Sequence, residues 1–388
     1  MTDIAVAQSS LPQSHAAGLA LSEEIRGALN GEPPDALILF ASPEYDYKAL
    51  IDAIHDSCAP RALVGCSSAG EFKGAQILER SACAIAIRSD EMMFSAGIGQ
   101  GLSDNRASVA QALVDSFDGD PDGQFAYHSA MILTDALAGH AEDVTERMTL
   151  LTAGRYQLFG GGAGDDARFK KTQVFCGREV ASNAAVALEI LSNKPIGIGV
   201  HHGWQPASKP MRVTESDGMR LVSVNMTPAV EVFEEHARAT GQTLDRNDPI
   251  PFFLHNVIGI QSGDEFKLRV PLEVHADGSI VCAAEISEGS TIFIMATSNA
   301  AAADAAIQSV ETAMGQLGEH RPKVGIFFDC VATRLRTGRE FDGELASVQS
   351  KLGAAALAGC NSYGQIARRE GQYGGFHNCT AVIGVIPE

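Results

Sequence analysis

A short motif occurs twice, nearly 300 residues apart, and it constrains the fold of this chain more than any other feature. Gly65-Cys66-Ser67-Ser68-Ala69-Gly70-Glu71-Phe72 and Gly359-Cys360-Asn361-Ser362-Tyr363-Gly364-Gln365-Ile366 align without gaps. Each follows a short apolar run, Arg61-Ala62-Leu63-Val64 in one case and Ala356-Leu357-Ala358 in the other, and each precedes another apolar strand, at Cys83 to Ile87 and Cys379 to Ile386. Runs of this length without polar alternation suit strands buried on both faces. Ala36 to Phe40 and Val324 to Phe328 supply a strand before each, and Tyr47 to Ser57 and Phe341 to Leu352 a helix between. Internal similarity in matching context points to duplication. The expected fold is α/β, with repeated strand–helix–strand units, Gly-rich turns and a pseudo-duplicated, two-domain arrangement.

A related order lies between the two copies. Ala130 to Thr134, a helix over Asp143 to Ala153, and Tyr156 to Phe159 lead into Gly160-Gly161-Gly162-Ala163-Gly164-Asp165-Asp166, followed by a strand at Thr172 to Phe175. No Gly-Lys-Ser/Thr ends this turn, so it is not a P-loop, and the strand that follows argues against a dinucleotide fingerprint. Residues 1–18 read as a loose leader before a helix that Gly31-Glu32-Pro33-Pro34 ends. Hairpin turns at Asp277-Gly278 and Glu288-Gly289 and a long Ala-rich helix over 300–317 fill much of the C-terminal part. The polar run 239–248 is a candidate linker.

Net charge is −19 over 388 residues, which argues against nucleic acid and anionic membrane surfaces as partners. No apolar run is long enough to span a membrane, so no membrane insertion is expected. The N-terminus lacks a secretory signal pattern, so the expected location is cytoplasmic. Eight scattered cysteines without a CxxC pair fit small buried hydrophobes better than a disulfide framework or a cysteine zinc site.

The turns carry the chemistry. A strand end followed by Gly and small residues lets backbone N–H groups approach a ligand oxygen. Cys66, Ser67, Ser68, Gly70 and Glu71 in the first copy, Gly161, Gly162 and Asp165 in the middle turn, and Cys360, Asn361, Ser362, Tyr363 and Gln365 in the last are the candidate ligand-binding residues. Hydroxyls, an amide and a carboxylate together suit a small zwitterion such as an amino acid. Cys66 and Cys360 match in position, and two facing thiols can act as acid and base across a carbon, as in cofactor-independent racemases. His201-His202, after Ile198-Gly199-Val200, offers one candidate axial ligand for a non-covalent haem b.

The ordered motifs resemble the FIST sensory domains. Phe40 to Asp46, Val64 to Glu71, Phe159 to Asp165, Thr172 to Phe175, Val213-Thr214 and Arg220 to Val222 resemble the N-terminal FIST domain, and Asn361 to Ile366 with His377 to Thr380 the C-terminal one. The resemblance implies an N-terminal domain over 35–235 after a leader and helix over 1–34, and a C-terminal domain over 236–388. It further implies a non-enzymatic small-ligand sensor without a required cofactor, which passes its signal to a separate partner such as a histidine kinase. Haem-binding nitric-oxide sensing, with His201 or His202 as ligand, and a two-cysteine amino-acid racemase are the alternatives. Gln365 stands where an acidic residue is common in the family.

Overall fold

The apolar runs before the glycine turns are strands, and they pair as buried parallel strands do. In the computed structural model, which describes residues 2–368 and 375–388, Ala36–Ala41 runs parallel to Ala62–Ser67, Tyr127–Thr134 to Gln157–Gly162, and Pro322–Cys330 to Ala356–Ser362. Side chains alternate between two apolar layers, as a period of two requires. Ile38 and Phe40 enter a central core, whereas Leu37 and Leu39 meet helices on the other face.

The unit recurs three times rather than twice. Each copy opens with an edge strand (Thr2–Ser9, Met92–Gln100, Gly197–His201) and a helix (Ser14–Ala28, Arg106–Asp115, Asn299–Gln316). A parallel pair, a glycine turn, a small hairpin and a closing strand follow, the closing strands being Ala82–Ser89, Ala184–Ser192 and Ala381–Pro387. Among the described residues this builds three six-stranded sheets of identical order. The middle copy is hard to see in the sequence because its turn has Gly161 where the others have Cys66 and Cys360, and its loop to the next strand is longer.

The hairpin after each turn leaves its own sheet and joins the next. Glu71–Lys73 pairs with Ala356–Ser362, Gln365–Arg368 with Gln157–Gly162, and Val174–Cys176 with Ala62–Ser67. The exchange closes a ring of three sheets around one apolar core containing Phe40, Met131, Phe159 and Phe328. Helices cover the three outer faces.

The leader expectation is corrected. Thr2–Ser9 is a strand paired antiparallel with Ala82–Ser89 through eight residues, and helix Ser14–Ala28 follows directly. Its small residues Ala5 and Ala7 are buried at 3% and 0% exposure, so the segment reads as polar although its inner face is closed. The third copy is interrupted between its edge strand and its helix by a nine-stranded unit with its own apolar cluster, including Phe233, Phe253 and Ile294. The polar run 239–248 lies inside this unit, after helix Ala229–Thr240.

Candidate functional site

Three glycine turns meet at the centre of the ring and hold one another by backbone hydrogen bonds. Ala69 N–H donates to Asn361 O at 2.9 Å, Tyr363 N–H to Gly162 O at 3.0 Å, and Gly164 N–H to Ser67 O at 2.9 Å. Each donor stands at the same step of its copy, and so does each acceptor. The sequence repeat therefore encodes a hub.

Most of the residues singled out from the sequence build that hub and have partners in it. Ser67 Oγ accepts from Gln173 N–H at 3.0 Å. Ser68 Oγ and Ser81 Oγ both donate to the Glu71 carboxylate. Gln365 donates from Nε2 to Ser362 Oγ at 3.0 Å, and its Oε1 accepts from Thr380 N–H at 3.3 Å. Asp165 accepts from the Tyr363 hydroxyl and from the N–H groups of Phe169, Lys170 and Lys171, so it organises the long loop of the middle copy. The Tyr363 ring stacks on Phe169 at 4.6 Å. Gly161 and Gly162 lie in the buried strand, where a side chain on either would press on the third turn. Cys66 and Cys360 lie in the core with their thiols in contact with each other. No space separates them for a substrate carbon.

One of the candidates, Gly70, lines an open cavity. This cavity, of 560 Å³, is lined by residues including Gly70, Arg80, Asp166, Arg334, Arg339 and Asp342. Gly70 has φ +128°, a value that favours glycine. Its missing side chain also matters sterically, because a Cβ there would lie 2.2 Å from Arg334 Nη1 and 3.2 Å from Asn361 Oδ1. The Arg334 guanidinium rests across Gly70 and donates to Ala69 O. Beneath it, Asn361 is fully buried, and among the described residues neither its Oδ1 nor its Nδ2 has a partner. Burial pushes the Asp166 carboxyl above its ordinary value. Sequence reasoning missed Arg80, Arg334 and Arg339. The one available signal was position, since Arg334 follows the carboxyl end of a parallel strand, where ligands of α/β sheets gather.

Glu71 is fully buried, and burial pushes its carboxyl up to about 7 against the lowering effect of the two serine hydroxyls. The folded state therefore holds the proton more tightly than the unfolded chain, and stability falls as pH rises from about 4.5 to about 7. The loss expected is about 3 kcal/mol. Glu71→Gln, which installs the residue found at the equivalent position of the third copy, removes this dependence. Urea midpoints at pH 5 and pH 8 should separate clearly in the natural chain and converge in the variant; equal separation in both would refute the assignment.

The histidine pair does not suit a haem. His202 donates from Nε2 to Phe266 O at 3.1 Å while its Nδ1 accepts from Trp204 N–H at 3.3 Å, so both ring nitrogens serve the fold. His201 Nε2 pairs with the Thr312 hydroxyl at 2.8 Å. Among the described residues, no group of three or more His, Cys, Asp or Glu side chains is placed to hold a metal ion, and no helix is long and apolar enough to cross a membrane.

The proteins named Uncharacterized protein MT0656 and Uncharacterized protein Rv0628c, from the CDC 1551 / Oshkosh and ATCC 25618 / H37Rv strains of Mycobacterium tuberculosis, are each 23% identical over 386 residues, covering 97% of this chain and 98% of theirs. A solved structure of cyanuric acid hydrolase from A. caulinodans aligns with 100% of this chain and 99% of its own, at 8% identity and a TM-score of 0.35, a value too low to support inference. The FIST N domain model matches residues 35–227 and the FIST C domain model residues 229–368. With both domains present, in order and adjoining, the chain belongs to the FIST family of signal-transduction sensory proteins.

Proposed function

We propose that this protein is a small-ligand sensor whose ligand occupies the cavity beside Gly70 and carries at least one anionic group. The observation that carries this reading is Asn361, a fully buried amide with no partner among the described residues, lying directly behind Gly70 and Arg334, which line a cavity together with two further arginines. An unpartnered buried polar group costs about 1–3 kcal/mol, so retaining one is best understood if a ligand completes it. An amide both donates and accepts. Arg80, Arg334 and Arg339 supply positive charge, and Glu79, Asp166 and Asp342 supply negative charge. That combination suits a zwitterion, with an amino-acid-like metabolite as the simplest fit, and a volume of 560 Å³ lies in the range of small-molecule sites. The ligand draws Arg334 from Ala69 O onto its own carboxylate, and the displaced helix Val331–Thr337 passes the signal to a separate partner. A histidine kinase is the partner class proposed.

Thermal-shift screening against amino acids and related zwitterions tests this. A ligand at one hundred times its Kd stabilises the fold by about 2.7 kcal/mol. Arg334→Ala should weaken binding at least tenfold, roughly 1.4 kcal/mol, with little change in the stability of the free protein. A variant that binds the same compound equally well would refute the site, and a panel in which no zwitterion stabilises the protein would refute the ligand class.

A further inference from the structure

Three copies of one fold allow the residue at the carboxyl end of the first parallel strand of each to be compared. Ala41, Thr134 and Asp329 pair with Ser67, Gly162 and Asn361, so Ser42, Asp135 and Cys330 occupy the same next step. In the second copy, Asp135 is a buried carboxylate. It accepts from the N–H groups of Leu137 and Asn183 and from the Thr172 hydroxyl.

Cys330 has the matching surroundings in the third copy. The N–H of Ala332, equivalent to that of Leu137, and the N–H of Cys379, equivalent to that of Asn183, are both directed at its sulfur. Asn183 and Cys379 share the left-handed backbone conformation, with φ of 52° and 50°, which is what aims these N–H groups inward. A cradle that holds a carboxylate in one copy thus holds a thiol in the other, and such a cradle favours the thiolate. The Cys379 thiol, together with those N–H groups, outweighs burial and brings Cys330 down to about 7. Burial instead pushes up the thiols of Cys58, Cys83, Cys176, Cys282 and Cys360.

The sulfur also has an approach. Cys330 lines a small apolar cavity of 60 Å³ between the inserted unit and the hub, with Phe253, Val270 and Tyr363. Asn378, buried to 1% exposure, lines the same cavity, and its Oδ1 has no partner among the described residues. The space admits one or two water-sized molecules. It suits hydrogen peroxide and excludes bulky reagents.

We propose that Cys330 and Cys379 form a peroxide-reactive dithiol site, with Cys330 attacking and Cys379 resolving. The Cys330 thiolate attacks one peroxide oxygen and the O–O bond breaks. The departing hydroxide takes up the proton that the Cys330 thiol released, giving water and a sulfenic acid. The Cys379 sulfur then attacks the Cys330 sulfur. The S–O bond breaks, an S–S bond forms, and the hydroxyl leaves as water with the Cys379 proton. Two thiols lose two electrons and one peroxide gains them.

Treating the full chain with one equivalent of hydrogen peroxide at neutral pH tests this. Free thiols, counted after denaturation, should fall by two from eight, the intact mass should fall by about 2 Da, and peptide mapping should find residues 330 and 379 cross-linked. In Cys379→Ser, dimedone should trap a sulfenic acid on Cys330. An unchanged mass and thiol count, or oxidation at other cysteines while Cys330 and Cys379 remain thiols, would overturn the proposal. The mapping uses the natural chain, so the outcome does not depend on a variant folding.

Discussion

Gly359→Ala is expected to leave little or no soluble, folded protein. A Cβ at Gly359 would stand 1.8 Å from Phe327 O and 2.7 Å from its carbonyl carbon. Phe327 is the residue paired with Gly359 across the parallel strands, so relief requires the two backbones to part at the point that carries the hub. The same constraint recurs at Gly65, 2.2 Å from Leu39 O, and at Gly160, 2.0 Å from Ile132 O. Strain of this kind belongs with the rare losses above about 4 kcal/mol, against a total stability of about 5–15 kcal/mol for ordinary proteins. Gly343→Ala is the control. It lies within helix Phe341–Leu352, where a Cβ meets nothing within 4 Å, and it should stabilise by up to about 1 kcal/mol. Soluble yield and urea unfolding report both, and a Gly359→Ala protein with the natural midpoint would disprove the steric account.

Arg269→Met should destabilise the protein by about 3–5 kcal/mol. Arg269 is 2% exposed and sits in the inserted nine-stranded unit. It donates to Glu142, to Glu285 O at 2.9 Å and to Leu268 O at 2.9 Å. Glu142 opens helix Ala141–Leu151 of the second copy, so the pair joins the insertion to the ring. Burial pushes the Glu142 carboxyl up, but Arg269 and Lys267 outweigh it and hold it below its ordinary value. Removing Arg269 strands a buried carboxylate with Lys267 alone. Adding Glu142→Gln should recover part of the loss, because the stranded charge causes most of it. Urea unfolding of the two single variants and the double completes the cycle. A single-variant loss below about 1 kcal/mol would mean that the pair does not hold the insertion.

The sequence carried the strands because each is a short, wholly apolar run, and it carried the turns because glycine was required there. It hid the first strand, whose buried residues are only Thr2, Ala5, Ala7 and Ser9, and it obscured the middle copy, whose turn keeps the backbone geometry but not the Cys-Ser side chains. Of the residues proposed to bind ligand, most proved to be each other's partners. Ser68 with Glu71, Ser362 with Gln365 and Tyr363 with Asp165 are hydrogen-bonded pairs inside the hub. A polar residue in a repeated turn reads the same in sequence whether its partner is a ligand or a neighbour.

The repeated Gly-Cys turns by themselves determined that related α/β units meet at glycine-lined strand ends, because a side-chain carbon there would fall 1.8–2.2 Å from a neighbouring strand's carbonyl oxygen. They did not determine which turn opens to solvent. That depends on hairpins exchanged around a ring of three sheets, which bring Gly70, Arg334 and Asn361 together from positions far apart in the chain. The same exchange closes the paired cysteines of the turns into the core and places Cys330 in the cradle that holds Asp135 in the copy beside it. Local pattern specifies a residue's backbone, whereas its solvent exposure and its partners come from distant segments.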